Sequence, residues 1–211
     1  MKHDNKGALI HELFSHKRLQ NFQKGEIIVF PNASTLPLIT YIESGVVEQY
    51  DVTPEGNKVV LNLFKAGSFF PVASAVNHTA NTYHFEALGD VTARQATAEV
   101  VELFLLAHPT VVYDLLKRLY VGLDGVLLKL ASTLSLPAQQ RLLNELETHG
   151  KRFGVRQGDN SLLLRITSEK IAQQTGLARE TVSRELKELK QKGILTMSRG
   201  EITLYDSRFG L

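Results

Sequence analysis

The stretch ITSEKIAQQTGLARETVSREL, from Ile166 to Leu186, constrains this chain more than any other. Ser168 is placed to cap a first helix, because its hydroxyl can accept a free backbone N–H of the opening turn. Ala172 is small enough for a second helix to cross closely. Gly176 follows four residues later, where the chain has to turn and a positive φ suits glycine. Ile171, Leu177, Val182, Leu186 and Leu189 recur at helical spacing and predict one small shared core. That leaves Arg179, Glu180, Ser183, Arg184 and Lys187 on the open face of the second helix. The pattern is a helix-turn-helix, and such side chains reach base edges and phosphates in a major groove. The plainer reading is a helical hairpin with a solvated charged face. The joint placement of Ala172, Gly176, Val182 and the Arg-Glu-x-x-x-Arg face weighs against it.

Charge supports the same end of the chain. Residues 137–211 carry 13 Lys and Arg against 9 Asp and Glu, and the rest carries 11 against 13. A basic C-terminal part beside a mildly acidic N-terminal part fits nucleic-acid binding by the former. There is no cysteine, which excludes disulfides, thiol switches and thiolate-held iron–sulfur clusters. Apolar runs reach only about five residues, against roughly 20 for a membrane span. Met1 to Lys6 lead into no apolar signal region, so the expected location is cytoplasmic, with no membrane partner.

Upstream, the chain alternates short strands and turns. Glu26 to Phe30 ends at Pro31-Asn32, Leu38 to Ile42 at Ser44-Gly45, and Val46 to Val52 at Thr53 to Asn57. Lys58 to Phe64 ends at Ala66 to Ser68, and Tyr83 to Leu88 and Val91 to Ala96 flank Gly89-Asp90. Regular turns between β-branched and aromatic strands predict an all-β barrel or sandwich. Glu99 to Leu106 reads as a short helix and Pro109 to Leu136 as a long one. In the long helix Leu116, Leu123 and Leu130 repeat every seven residues, interleaved with Val112, Leu119, Val126 and Thr133. This is a coiled-coil seam. Gly122 and Gly125 each weaken an isolated helix by roughly 1 kcal/mol against Ala, and a closely crossing partner helix explains them. A helix packed on its own domain is the alternative for this segment.

Pro137 breaks the long helix and marks a hinge. A new helix runs to about Thr148, followed by a hairpin of Phe153–Arg156 and Leu162–Ile166. After the second helix of the motif, Gly193 stops the chain. Ile194–Met197 and Glu201–Tyr205 then pair around Ser198-Arg199-Gly200 to complete a winged helix-turn-helix. The predicted fold class is α+β.

With "ITSEKIAQQTGLARETVSRELKELKQKGIL" in place, the chain resembles the cAMP receptor protein/FNR (CRP/FNR) family of bacterial transcription regulators. The segments "FQKGEIIVF", "YIESGVV" and "GNKVVLNLFKAGSFF" follow the family's spaced glycines at Gly25, Gly45, Gly56 and Gly67. The resemblance implies a jelly-roll β-roll sensor domain over 1–108, a dimerisation helix over 109–136 and a winged helix-turn-helix DNA-binding domain over 137–211. It implies a homodimer on a palindromic operator, with half-site centres roughly 34 Å apart. Arg179, Glu180, Ser183 and Arg184 match the family's base-reading positions. Arginine can bond guanine O6 and N7 together, and glutamate can accept from cytosine N4. Thr167, Ser168, Thr181, Lys187 and Arg199 are then the expected phosphate contacts, which fix register. Arg179 is like the cAMP receptor protein, with TGTGA half-sites. Ser183 is like FNR, with TTGAT half-sites. The shared core is TGA, and the outer base stays open. Val112, Leu116, Leu119, Leu123, Val126 and Leu130 form the expected dimer seam. RNA polymerase is a further partner if the protein is an activator.

The sensor half departs from the family's cyclic-nucleotide pattern. Pro71-Val72 stands where a Gly-Glu pair would hold the ribose, and Asn81-Thr82 where Arg-Ser would hold the cyclic phosphate. A buried phosphate without its countercharge is costly, so cAMP is not the expected effector. Phe69, Phe70, Val72, Ser74, Asn77, Thr82, Tyr83, Phe85 and Glu86 remain as lining for a small organic effector, or as plain β-roll core. Two alternatives stay open. One is a regulator without an effector. The other is a haem-based gas sensor, for which His78 and His84 lie in the right region. Catalysis is not expected, and neither is a bound metal or other cofactor. The histidines are scattered with no His-x-His pair, and no Gly-x-Ser-x-Gly or phosphate-loop motif occurs.

Overall fold

A computed structural model describes residues 5–31 and 38–205. Residues 1–4 and Asn32 of the expected Pro31-Asn32 turn lie outside the described residues. The chain divides into two compact units, Met1–Asp124 and Gly125–Leu211, and the division falls inside the long helix.

The first unit opens with α1 (Asn5–Ser15), then β1 (Leu19–Phe22), β2 (Ile27–Val29), β3 (Ile39–Ser44), β4 (Val46–Val52), β5 (Lys58–Lys65) and β6 (Phe69–Phe70). It continues with α2 (Val72–Asn77), β7 (His84–Ala87), β8 (Val91–Ala96), α3 (Ala98–Ala107) and α4 (Pro109–Ser135). Two four-stranded antiparallel sheets result, ordered β1-β8-β3-β6 and β2-β7-β4-β5. Their inner faces share Val29, Ile42, Val47, Phe70, Phe85, Ala87, Val91 and Ala93, which makes the β-roll core. Alternation does this work: Phe85 and Ala87 point inward while His84 and Glu86 point away. A second cluster packs Ile10 and Phe14 of α1, Ile39 and Tyr41 of β3, and Val101 and Leu105 of α3. Sequence patterning missed β1, β6, α1 and α2, each short or weakly periodic.

Gly45 joins β3 to β4 at φ 96°. A Cβ there would lie 2.5 Å from the carbonyl oxygen of Asp90, so only glycine lets the two turns meet. The spaced glycines Gly25, Gly56 and Gly67 likewise take positive φ.

The second unit holds α5 (Ala138–Phe153), β9 (Val155–Arg156), β10 (Leu162–Arg165), α6 (Ser168–Thr175), α7 (Arg179–Gln191), β11 (Leu195–Ser198) and β12 (Glu201–Leu204). Its sheet runs β11-β12-β10-β9. Leu142 and Leu146 of α5, Leu164 of β10, Ile171 of α6, Val182, Leu186 and Leu189 of α7 and Leu195 of β11 are fully buried together. The expected motif core is therefore present, with Leu177 partly buried against it. The expected stop of α5 near Thr148 is corrected to Phe153. His149 and Phe153 carry its ring-to-ring contact another turn, with centroids 5.1 Å apart, and Gly150 packs its bare Cα against Leu162 and Leu164. Among the described residues, no helix is long and apolar enough to cross a membrane.

Candidate nucleic-acid interface

The motif is assembled from its caps outward. Thr167, not Ser168, is the N-cap of α6: its hydroxyl accepts the backbone N–H of Lys170 at 3.2 Å. This corrects the expectation for Ser168, which is the first helical residue. Either hydroxyl suits a cap chemically, and the extended backbone of Thr167 (φ −94°, ψ 156°) decides it. Gly176 closes the helix in the left-handed region at φ 68°, with its N–H donating to the carbonyl of Ala172 at 2.9 Å. Thr175 Oγ1 donates to the Ile171 carbonyl at 2.8 Å, and Arg141 Nη2 donates to the Thr175 carbonyl at 2.9 Å. The turn is thus held from inside and from α5. Ala178 caps α7 without a side-chain hydrogen bond.

With Val182, Leu186 and Leu189 buried beneath, Arg179, Glu180, Ser183, Arg184 and Lys187 are all exposed. The four expected base readers thus share the outer face of α7, and Lys187 extends it. Thr181 is half-buried. The wing turn places Arg199 exposed between β11 and β12, with Gly200 at φ 75°. An open groove connects these parts: Thr167, Ser168 and Arg179 line it on one side, and Met197, Ser198 and Gly200 of the wing on the other. Arg165 and Glu201 pair beside it at 3.3 Å.

Sequence reasoning missed Glu185. Its side chain is only 10% exposed, and its Oε1 accepts Arg184 Nη2 at 3.0 Å. Its Oε2 accepts Gln139 Nε2 from α5 at 3.2 Å. The signal was available, since Glu185 falls on the same helical row as Val182, Leu186 and Leu189, where a carboxylate breaks the apolar pattern.

The expected dimer seam is bare within the single chain. Val112 and Leu116 are 43% and 44% exposed, Leu119 66%, Leu123 47%, Val126 61% and Leu130 53%. A Cβ on Gly122 or Gly125 would meet nothing within 4 Å.

Of the suggested effector-pocket residues, Phe70, Tyr83 and Phe85 share the β-roll core, and the others lie in different surroundings. Phe70 and Phe85 stack at 4.6 Å between ring centroids inside the β-roll core, with Phe64 against both. Phe69 packs in the other cluster, near Phe14. Ser74 is buried in α2, while Asn77 and Thr82 are exposed and Val72 and Tyr83 half-buried. Glu86 lies on the opposite side of its strand from Phe85 and accepts Lys58 Nζ at 2.8 Å. Lys58 also pairs with the fully buried Glu48, and its ammonium lies 3.8 Å from the Tyr50 ring centroid. Burial alone would lower the Lys58 pKa, but the two carboxylates more than reverse this and hold it above its ordinary value. Burial raises the Tyr50 phenol. His84 stacks on Tyr50 at 4.7 Å, and exposed His78 lies 3.5 Å from Glu102. Asn81, expected from the sequence to stand where the cyclic-nucleotide pattern has an arginine, is buried. Its amide donates to the carbonyls of Phe30, at 3.1 Å, and Tyr83, and its Oδ1 accepts the Tyr83 N–H at 3.2 Å.

A winged helix-turn-helix following a β-roll defines a DNA-binding regulator with a sensor-type domain. Residues 19–108 match the model of the cyclic nucleotide-binding domain, and residues 129–208 that of the Crp-like helix-turn-helix domain. The chain belongs to the CRP/FNR family of transcription regulators, which is not a family of enzymes. It is 26% identical over 195 residues to the global nitrogen regulator of Synechocystis sp., covering 89% of this chain and 84% of that one. It is 24% identical over 187 residues to the transcriptional regulator SdrP of Thermus thermophilus, covering 88% and 89%. In fold it matches the global regulator CLP of Xanthomonas campestris with a TM-score of 0.83 at 18% identity, over 95% of this chain and 99% of that one.

Proposed function

We propose that the protein works as a homodimer on a palindromic operator with TGA-core half-sites, in the manner of TGTGA or TTGAT. The observation that carries this is the exposed set Arg179, Glu180, Ser183 and Arg184 on one face of α7, over a fully buried Val182 and Leu186. Glu180 and Arg184 read the shared core, and Thr167, Ser168, Thr181, Lys187 and Arg199 hold phosphates. The bare seam of α4 from Val112 to Leu130 is the surface for the second copy, because an apolar stripe of that length is costly to leave in water. RNA polymerase is the further partner if the protein activates. The expected location is cytoplasmic.

For the sensor half, we infer a small organic effector other than cAMP. Asn81 spends its polar atoms on Phe30 and Tyr83, so no cation stands ready for a cyclic phosphate. One structural neighbour, CLP, is described as responsive to c-di-GMP. The reading requires neither metal nor other cofactor.

Selection of bound duplexes from a random pool, with and without a metabolite extract, tests the whole reading. A two-fold symmetric site with a TGA core is expected, and Glu180→Ala relaxes it. An unchanged site in that variant overturns the assignment of Glu180. A protein that stays monomeric, or shows no salt-sensitive shift of any duplex, overturns the dimeric reader.

A further inference from the structure

We propose that Glu185 is a positioning residue, which fixes the edge that the Arg184 guanidinium presents to DNA, and that Gln139 holds Glu185 in place. This rests on the reading of α7 given above and names a residue outside its exposed face. Adjacent residues of a helix do not normally face each other. Arg184 nonetheless folds back along α7, so that Nη2 and Nε lie 3.0 and 3.4 Å from Oε1 of Glu185. The reason is burial: a carboxylate on the core-facing row is costly unless it is paired.

The second oxygen is fixed from a different helix. Gln139 Nε2 donates to Glu185 Oε2 at 3.2 Å and to Glu188 Oε2 at 3.1 Å, and Gln139 Oε1 accepts Lys192 Nζ at 2.8 Å. Both ends of the Gln139 amide are therefore engaged, and the carboxylate has little freedom to turn.

The consequence for Arg184 is geometric. A guanidinium offers five N–H donors in a planar fork. Glu185 occupies the side edge formed by Nε and Nη2. The end edge formed by Nη1 and Nη2 stays open, and the side chain is 64% exposed. That edge can place two parallel hydrogen bonds on guanine O6 and N7. A freely turning arginine would meet phosphates and bases without preference. Arg184 held by Glu185 is ordered before DNA arrives.

The test uses the full chain and a palindromic TGA-core duplex with all its single-base variants. Arg184→Ala first identifies the base pair that Arg184 reads. Glu185→Leu keeps the volume and the apolar row, so the fold is retained. Its discrimination at that base pair is expected to fall about tenfold. Discrimination at the pair read by Glu180 stays, and binding to unrelated duplex does not weaken. Glu185→Gln keeps an acceptor and preserves most of the preference, and Gln139→Leu gives a smaller loss at the same pair. In the Arg184→Ala background, Glu185→Leu changes no preference further. Unaltered discrimination in Glu185→Leu overturns the proposal, as does a loss spread evenly over the half-site. If Arg184→Ala alters no base preference while Glu180→Ala does, this inference fails together with the reading role of Arg184, and the dimeric reader with Glu180 stands. If neither variant alters any preference, both fail.

Discussion

The hydroxyl of Thr167 and the backbone N–H of Lys170 lie 3.2 Å apart and close the first turn of α6. One side chain is thus both the cap of the helix and part of the groove wall beside the wing. Thr167→Ala is expected to cost about 1 kcal/mol of unfolding free energy in urea and to weaken binding to every duplex alike. Thr167→Ser should restore most of both. A loss of affinity confined to one base pair would contradict the phosphate role.

Gly45 and Gly176 separate two sources of glycine dependence. Both have positive φ, but a Cβ on Gly176 meets nothing within 4 Å, whereas on Gly45 it strikes backbone. Gly176→Ala should cost roughly 1–2 kcal/mol from the left-handed conformation alone. Gly45→Ala adds a backbone collision and should lower the melting temperature clearly more. Equal losses would show that the turns at Gly45 and Asp90 yield easily.

Lys58 is the cation for a fully buried Glu48. Lys58→Met should destabilise the protein by about 3–5 kcal/mol, because a fully buried carboxylate loses the cation that pairs with it. Adding Glu48→Gln should recover most of that loss. A double variant no better than the single one would show that packing by the lysine stem, and not charge, is what matters. The raised Lys58 pKa adds stability that is complete below the ordinary value near 10.5 and declines as pH rises through the folded-state value.

His149 sets a pH dependence in the second unit. Burial of its ring, with Arg152 nearby, holds its pKa below the ordinary 6.5. The unfolded chain takes up the proton first as pH falls, so the stabilising contribution is complete above 6.5 and is lost on acidification below it. Glu145 works the other way. Burial raises its pKa above 4.5 despite Lys129 and Arg152, so its contribution is present at low pH and is lost as pH rises through the raised value. His149→Gln should flatten the fall in melting temperature between pH 7 and pH 5. An unchanged slope would assign that fall to other groups.

Sequence periodicity located the elements that bury one clean face. The row Val182–Leu186–Leu189 announces a helix, and α7 follows; the β-branched run Lys58 to Phe64 announces a strand, and β5 follows with Val60 and Leu63 buried. Phe69–Phe70 is too short to show any period, and β6 exists because it pairs with Thr40 and Tyr41. The exposed face of α7 was legible because side chains opposite a buried row must face outward. The choice of Thr167 over Ser168 as cap was not, because it depends on backbone angles that two neighbouring hydroxyl residues do not distinguish. The suggested effector lining is divided for a simpler reason: Phe85 and Glu86 are successive strand residues and point to opposite sides.

Asn81 ties its own segment at Tyr83 to Phe30, 51 residues earlier, through both polar atoms of its side chain. An arginine installed there would gain a charge and lose the knot, leaving the Tyr83 amide and two carbonyls in need of new company. Replacing Asn81 by arginine is therefore a change of loop structure as well as of charge.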